Sequence, residues 1–134
     1  MSGAQYDQES MDRAAEALRS PRGTVVLTGA GISVESGIPD FRSPGGIWSK
    51  YPPEEYATID AFYANPDRVW ELWYELADSL RNVKPNPAHL ALAELEEMGV
   101  VQAVITQNID ALHFHGGSMN VVEYHGSMDW LVCP

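Results

Sequence analysis

Four short stretches place residues capable of chemistry at spacings that could share one ligand. Gly29-Ala30-Gly31 follows a β-branched run, and glycines there let backbone N–H groups approach a pyrophosphate. The usual third glycine of such a loop falls at position 34, which is Val34, so a plain strand-to-helix turn is the competing reading. Asp40-Phe41-Arg42 follows a rigid Gly-Ile-Pro bend. The arginine fork suits phosphate or ribose oxygens, and the aromatic ring can cover a reacting centre; a chance surface loop would look the same. Gln107-Asn108-Ile109-Asp110 carries groups that can bond ribose hydroxyls or an amide, or simply cap the next helix. His125, beside Gly126, is a candidate general base, although a lone histidine is more often structural.

The elements that must position these groups read as follows. Met11, Ala14, Ala15 and Leu18 recur at helical spacing over about 7–19. Thr24–Thr28 lacks alternation and suits a strand buried on both faces of a parallel sheet. Asn65-Pro66 and Asn86-Pro87 each set an N-cap before a first-turn proline. The first opens a helix to about Val83 with Val69, Leu72, Trp73, Leu76 and Leu80 on one face; the second presents Ala88, Ala91, Leu92 and Leu95. Residues 39 to about 56 read as irregular, with short helical pieces. Strands are expected at 100–106 and 120–124, with a short helix between. This order predicts an α/β domain with a parallel sheet. The glycine loop, the Gln107–Asp110 stretch and His125 then fall at the carboxyl ends of the three strands, where open sheets bind ligands.

Composition narrows the partners. The 134 residues suffice for one domain, and 45% are hydrophobic, so a core can form. Eight basic against nineteen acidic residues, a formal charge of −11, argue against nucleic acid and leave room for basic peptides. No apolar run has the length of a membrane span, no secretory signal opens the chain, and one cysteine excludes an internal disulfide framework. A reducing cytoplasm fits.

GAGISVESGIPDFRSPGGIW, TQNIDALH and VEYHGS, in that order and supported by PNPAHLAL and NPDRVW, resemble the sirtuins, the NAD-dependent protein lysine deacylases. The resemblance runs from about Gly23 to Pro134 and implies a Rossmann-like fold with NAD as cosubstrate. It implies that His125 is the catalytic base, that Asn108 orients ribose or water, and that Asp110 with Ile109 holds the nicotinamide amide. Gly29, Ala30, Gly31, Val34 and Gln107 would line the phosphates and ribose. Phe41 would shield the reacting carbon, with Asp40, Arg42 and Trp48 in the cofactor loop. The substrate would be acetylated lysine of a protein or peptide.

Two departures carry consequences. The family's glycine after Gln-Asn-Ile-Asp is Ala111 here, and the Tyr-x-x-Arg pair of its desuccinylase branch is absent, since Tyr74 is followed by Ala77 three residues on. Acetyl is therefore expected over succinyl or malonyl. Cys133 matches the first of four zinc-ribbon cysteines, and one thiolate cannot complete a tetrahedral site. The resemblance thus implies that residues 1–134 are an N-terminal portion of the catalytic domain, with little activity when isolated. NAD glycohydrolysis, ADP-ribosyl transfer on the same pocket, or a non-catalytic fragment are the alternatives; a conventional dehydrogenase is disfavoured by Val34 and the Asp-Phe-Arg loop.

Overall fold

The computed structural model describes residues 7–19 and 22–130. Three parallel strands, β1 (Thr24–Thr28), β2 (Val101–Thr106) and β3 (Val121–Glu123), lie side by side in the order β1-β2-β3. Leu27 pairs with Ile105, which pairs with Val122, so the three carboxyl ends finish together. Around them run α1 (Gln8–Leu18), a 3-10 helix (Ala30–Ser36), α2 (Ile47–Lys50), α3 (Pro53–Tyr56), α4 (Ile59–Ala64), α5 (Pro66–Leu80), α6 (Pro87–Glu97) and α7 (Leu112–His115). The architecture is the expected Rossmann-like α/β arrangement. No described helix is long and apolar enough to cross a membrane.

Both asparagine caps form. Asn65 accepts from the Arg68 N–H and Asn86 from the Ala88 N–H, so each satisfies a donor that the first turn leaves orphaned. Beyond β2, Glu96 of α6 accepts from the Met119 and Asn120 N–H groups at 3.1 and 2.7 Å. That pair of bonds fixes where β3 enters the sheet. The core is formed by Val69, Leu72 and Leu76 of α5, Val101 and Val104 of β2, and Ala111 and Leu112 at α7.

Burial differs from the sequence-based expectation in three places. β1 is not covered on both faces: Val25 and Leu27 are 55% and 70% exposed, with Val122 of β3 and Tyr124 just past it open as well. A parallel strand is buried twice only when elements pack on both sides, and the described elements leave one side open. On α6 the inward residue is His89, fully buried, while Ala88 and Ala91 face outward. Helix α1 forms, yet buries none of its residues, and only Leu18 is partly covered.

This asymmetry can be measured by urea denaturation. Leu72→Ala, at a site 1% exposed, is expected to cost about 2–5 kcal/mol. Leu27→Ala should cost about 0.5 kcal/mol or less. Equal losses at the two sites would mean that the open face is covered in solution.

Candidate functional site

The glycine loop is not the start of an α-helix. Gly29 is extended, and the next residues wind into the 3-10 helix, closed by Gly37 in the left-handed region at φ 93°. The tighter coil turns Ser33 fully inward and leaves Gly31 and Val34 exposed. A Cβ built at Gly31 would meet nothing within 4 Å, so this backbone borders open space a ligand can enter.

The polar cluster forms on Ser33. Its hydroxyl donates to Asp110 Oδ2 at 2.6 Å and accepts from Asn108 Nδ2 at 3.0 Å. The second Asp110 oxygen accepts from the Leu112 N–H at 3.0 Å, so Asp110 satisfies the first N–H of α7 and serves the cluster at once. Asn108, 6% exposed, is held from behind by the Thr106 hydroxyl, which accepts its N–H. These three residues line one pocket with Ala30, Ile38, Phe41 and Ile109, giving a largely apolar wall with a few convergent polar groups.

The lid of that pocket is a built loop. Asp40 accepts from the Arg42 and Ser43 N–H groups and from the Ser43 hydroxyl, which holds its carboxyl below the usual range. A Cβ at Gly46 would lie 2.5 Å from the Asp40 carbonyl oxygen, so only glycine fits there. Phe41 and Trp48 pack with ring centroids 5.0 Å apart. Further on, Glu75 of α5 accepts from Lys50 at 2.8 and 2.5 Å and from the Tyr51 hydroxyl. Arg68 pairs with Glu55 and lies over the Tyr56 ring. Arg42 remains exposed, free to meet an anion.

His125 lies elsewhere. It is exposed and lines a separate cleft with Gln107, Tyr124, Leu27 and Ile105. The Gly126 N–H donates to the Glu123 carbonyl across the turn, with Gly126 at φ 86°, and this turn displays the imidazole at the strand end. The structure thus brings Ala30, Phe41, Asn108, Ile109 and Asp110 together, and sets Gln107 and His125 apart from them. Cys133 lies outside the described residues, and among those described no group of metal-ligating side chains occurs.

Sequence reasoning missed Ser33, which has no local signature beyond its place between Gly31 and Val34. It also missed a buried histidine pair behind the pocket. His113, 1% exposed, shares a 2.9 Å hydrogen bond with the Thr28 hydroxyl, and its ring centroid lies 4.9 Å from that of His89. Burial pushes both imidazoles below their ordinary value; His113 is lowered further by its neighbour, and Asp110 opposes both shifts.

A model of the Sir2 family matches residues 29–134. The chain belongs to the Sir2 family. It is similar to the NAD-dependent protein deacylase 2 of Archaeoglobus fulgidus, 56% identical over 126 residues, a match covering 94% of this chain and 49% of that protein. Among solved structures, one from work on the mechanism and regulation of Sir2 enzymes superposes with a TM-score of 0.82 at 54% identity, covering 92% of this chain and 48% of that one. A Sir2–p53 peptide–NAD+ complex gives a TM-score of 0.76 at 46% identity, covering 87% and 46%. The chain therefore spans about half the length of the curated relatives it matches.

Against the sirtuin motif, Ala111 acquires a physical meaning. It is the one described non-glycine residue at positive φ, 56°, and it is 5% exposed. The left-handed region costs an ordinary residue about 1–2 kcal/mol, part of which glycine returns through its freer unfolded chain. Ala111→Gly is therefore expected to raise stability by about 0.5–1 kcal/mol, and a lowered urea midpoint would contradict this account.

The histidine pair sets an acid limit. Both folded-state values are depressed, so the native protein binds fewer protons than the unfolded chain below the unfolded value of 6.5. Stability is full above that pH and falls as pH drops below it, by up to about 1.4 kcal/mol per pH unit per imidazole. Melting temperature measured from pH 7.5 to 5 should show this fall, and His113→Asn should flatten it.

Proposed function

We propose that this chain carries the cofactor-handling part of an NAD-dependent protein lysine deacylase. The observation that carries the reading is the Ser33–Asn108–Asp110 network lining a pocket roofed by Phe41. A pocket with apolar walls and a few fixed donors and acceptors suits a flat aromatic amide. In this reading Asp110 and Ile109 hold the nicotinamide carboxamide, while Asn108 orients the ribose or a water. Gly29, Ala30, Gly31 and Val34 border the phosphates and ribose, and Gln107 meets the ribose. Asp40 shapes the loop from which Arg42 and Trp48 reach the cofactor.

The chemistry that follows is acyl transfer rather than hydride transfer. The acyl oxygen of the substrate lysine attacks the anomeric carbon of the nicotinamide ribose, and nicotinamide leaves with the bonding pair. His125 takes a proton from a ribose hydroxyl, which adds to the resulting imidate. Water then releases the free lysine and O-acyl-ADP-ribose. The peptide in the Sir2–p53 complex supports a protein or peptide as the substrate, with acetylated lysine as the group that this chemistry acts on, and a charge of −11 suits basic flanking residues. A plain acetyl group fits better than an acidic acyl chain: Tyr74 is 69% exposed, stacks with Trp70 at 5.5 Å, and has no arginine at Ala77. The single cysteine favours a reducing, cytoplasmic setting. Zinc would belong to the part of the fold that includes Cys133.

One observation favours a second reading. The Ser33 pocket and the His125 cleft are separate, and cleavage of NAD with transfer of ADP-ribose to water or protein does not call on the His125 imidazole. In the intact protein, His125→Ala is expected to lower deacylation about 10²–10⁴-fold while NAD binding persists. Mass spectrometry of the products separates the readings: O-acetyl-ADP-ribose supports deacylation, and free ADP-ribose with intact acetyl-lysine supports the second.

A further inference from the structure

The two asparagine caps are alike in sequence and unlike in structure. Asn65 is exposed; its side chain accepts from the Arg68 N–H at 3.2 Å, and its amide donates to nothing among the described residues. Asn86 is 7% exposed and uses every hydrogen-bonding direction available to it. Its Oδ1 accepts from the Ala88 N–H at 2.9 Å. Its backbone N–H donates to His89 Nδ1 at 3.3 Å, completing a reciprocal cap. Its Nδ2 donates to the Ile32 carbonyl at 2.7 Å and to the Ser36 hydroxyl at 3.0 Å. Capping α6 needs only the acceptor. The two donated bonds reach 54 and 50 residues back along the chain, into the 3-10 helix.

We infer that Asn86 is a positioning residue of the cofactor cradle, holding the 3-10 helix in the coil that turns Ser33 inward and opens Gly31 outward. A short 3-10 helix is intrinsically poor in hydrogen bonding and does not hold its geometry by itself. On its inner side the Ser33 hydroxyl ties it to Asp110 and Asn108; on its flank Asn86 ties it to the start of α6. Two attachments from different elements fix both the rotation and the depth of the coil, which one alone would not. A buried amide with both donors satisfied holds tightly, because breaking either bond strands a desolvated group. This role rests on the proposed reading of the cradle as an NAD site, while the clamp is a property of the fold.

Asn86→Asp separates capping from clamping. The carboxylate still accepts from the Ala88 N–H, yet turns an oxygen toward the Ile32 carbonyl where a donor stood. Asn65→Asp is the matched control, and Ser36→Ala removes one clamp partner without touching the cap. Two quantities are read: amide hydrogen exchange at Ile32, Gly37 and Ile38, and NAD affinity of the intact protein by calorimetry. Asn86→Asp should speed exchange at these amides and weaken NAD binding about tenfold, the equivalent of one to two lost net hydrogen bonds. Ser36→Ala should shift both in the same direction by less, and Asn65→Asp should change either by less than about twofold. Unchanged exchange across the 3-10 helix in Asn86→Asp would overturn the inference and leave Asn86 as a cap. Should Asn86→Asp not fold, Ser36→Ala decides alone, and unchanged exchange there overturns it. If the parent protein binds no NAD, the functional reading fails, and the exchange data still decide the clamp.

Discussion

The Ser33 hydroxyl is the smallest group on which the site depends. It is 1% exposed and carries two bonds, one given to Asp110 and one received from Asn108. Through it the loop after β1 is joined to the loop after β2. Without that hydroxyl, a half-buried carboxylate oxygen and a buried amide would each lose a partner, and a buried group left unpaired costs about 1–3 kcal/mol. The interaction is also directional. An aspartate that accepts from Ser33 and from the Leu112 N–H has a fixed plane, so whatever it presents to the pocket is presented at one angle.

Parallel pairing makes this bond possible. Thr28 lies opposite Thr106 in the register, so both loops leave the sheet at the same level. The Thr28 hydroxyl bonds the His113 ring and the Thr106 hydroxyl accepts the Asn108 N–H. Two threonines at paired strand ends thus hold the elements that follow. Behind them His113 and His89 fill the space beneath the pocket as neutral rings. Their polar edges orient the threonine and the α6 cap, while their faces pack as apolar surface would, a combination leucine could not provide.

Legibility followed the range of the forces. The asparagine–proline caps, the β-branched strands and the α5 face at Val69, Leu72 and Leu76 are set by neighbours within a few residues, and each stands where its local pattern put it. Ser33 was invisible because its partners are 75 and 77 residues away. Histidine at 89 was passed over in favour of Ala88 and Ala91 because hydrophobic periodicity scores side chains by polarity, and a buried imidazole ring packs much as an apolar one does. The open face of β1 was misread for a related reason: a run of β-branched residues records what a strand can tolerate, not which elements stand against it. The motifs put Gly29, Asn108, Asp110 and His125 just beyond strand ends, where the structure has them, but gave no sign of the division between two clefts.

That division has a geometric source. Successive residues of a strand point to opposite faces, and the rule persists for a residue or two beyond the last ladder bond. Thr106 points to the covered face, so Gln107 emerges on the open side and Asn108 returns to the covered one, exposed and buried in turn. On β3 the same alternation brings Val122 and Tyr124 out, and the turn closed by the Gly126 N–H on the Glu123 carbonyl breaks it, so that His125 also emerges beside Gln107, next to Leu27 and Ile105. A ligand confined to the Ser33 pocket would touch only the covered side. One that also engages Gln107 and His125 must cross the carboxyl edge of the sheet from face to face, and so must be extended, with polar groups along its length. A dinucleotide lying over the strand ends has that shape. On the proposed reading, the alternation of two adjacent polar residues just beyond β2 would favour a long ligand over a compact one at this strand-end site.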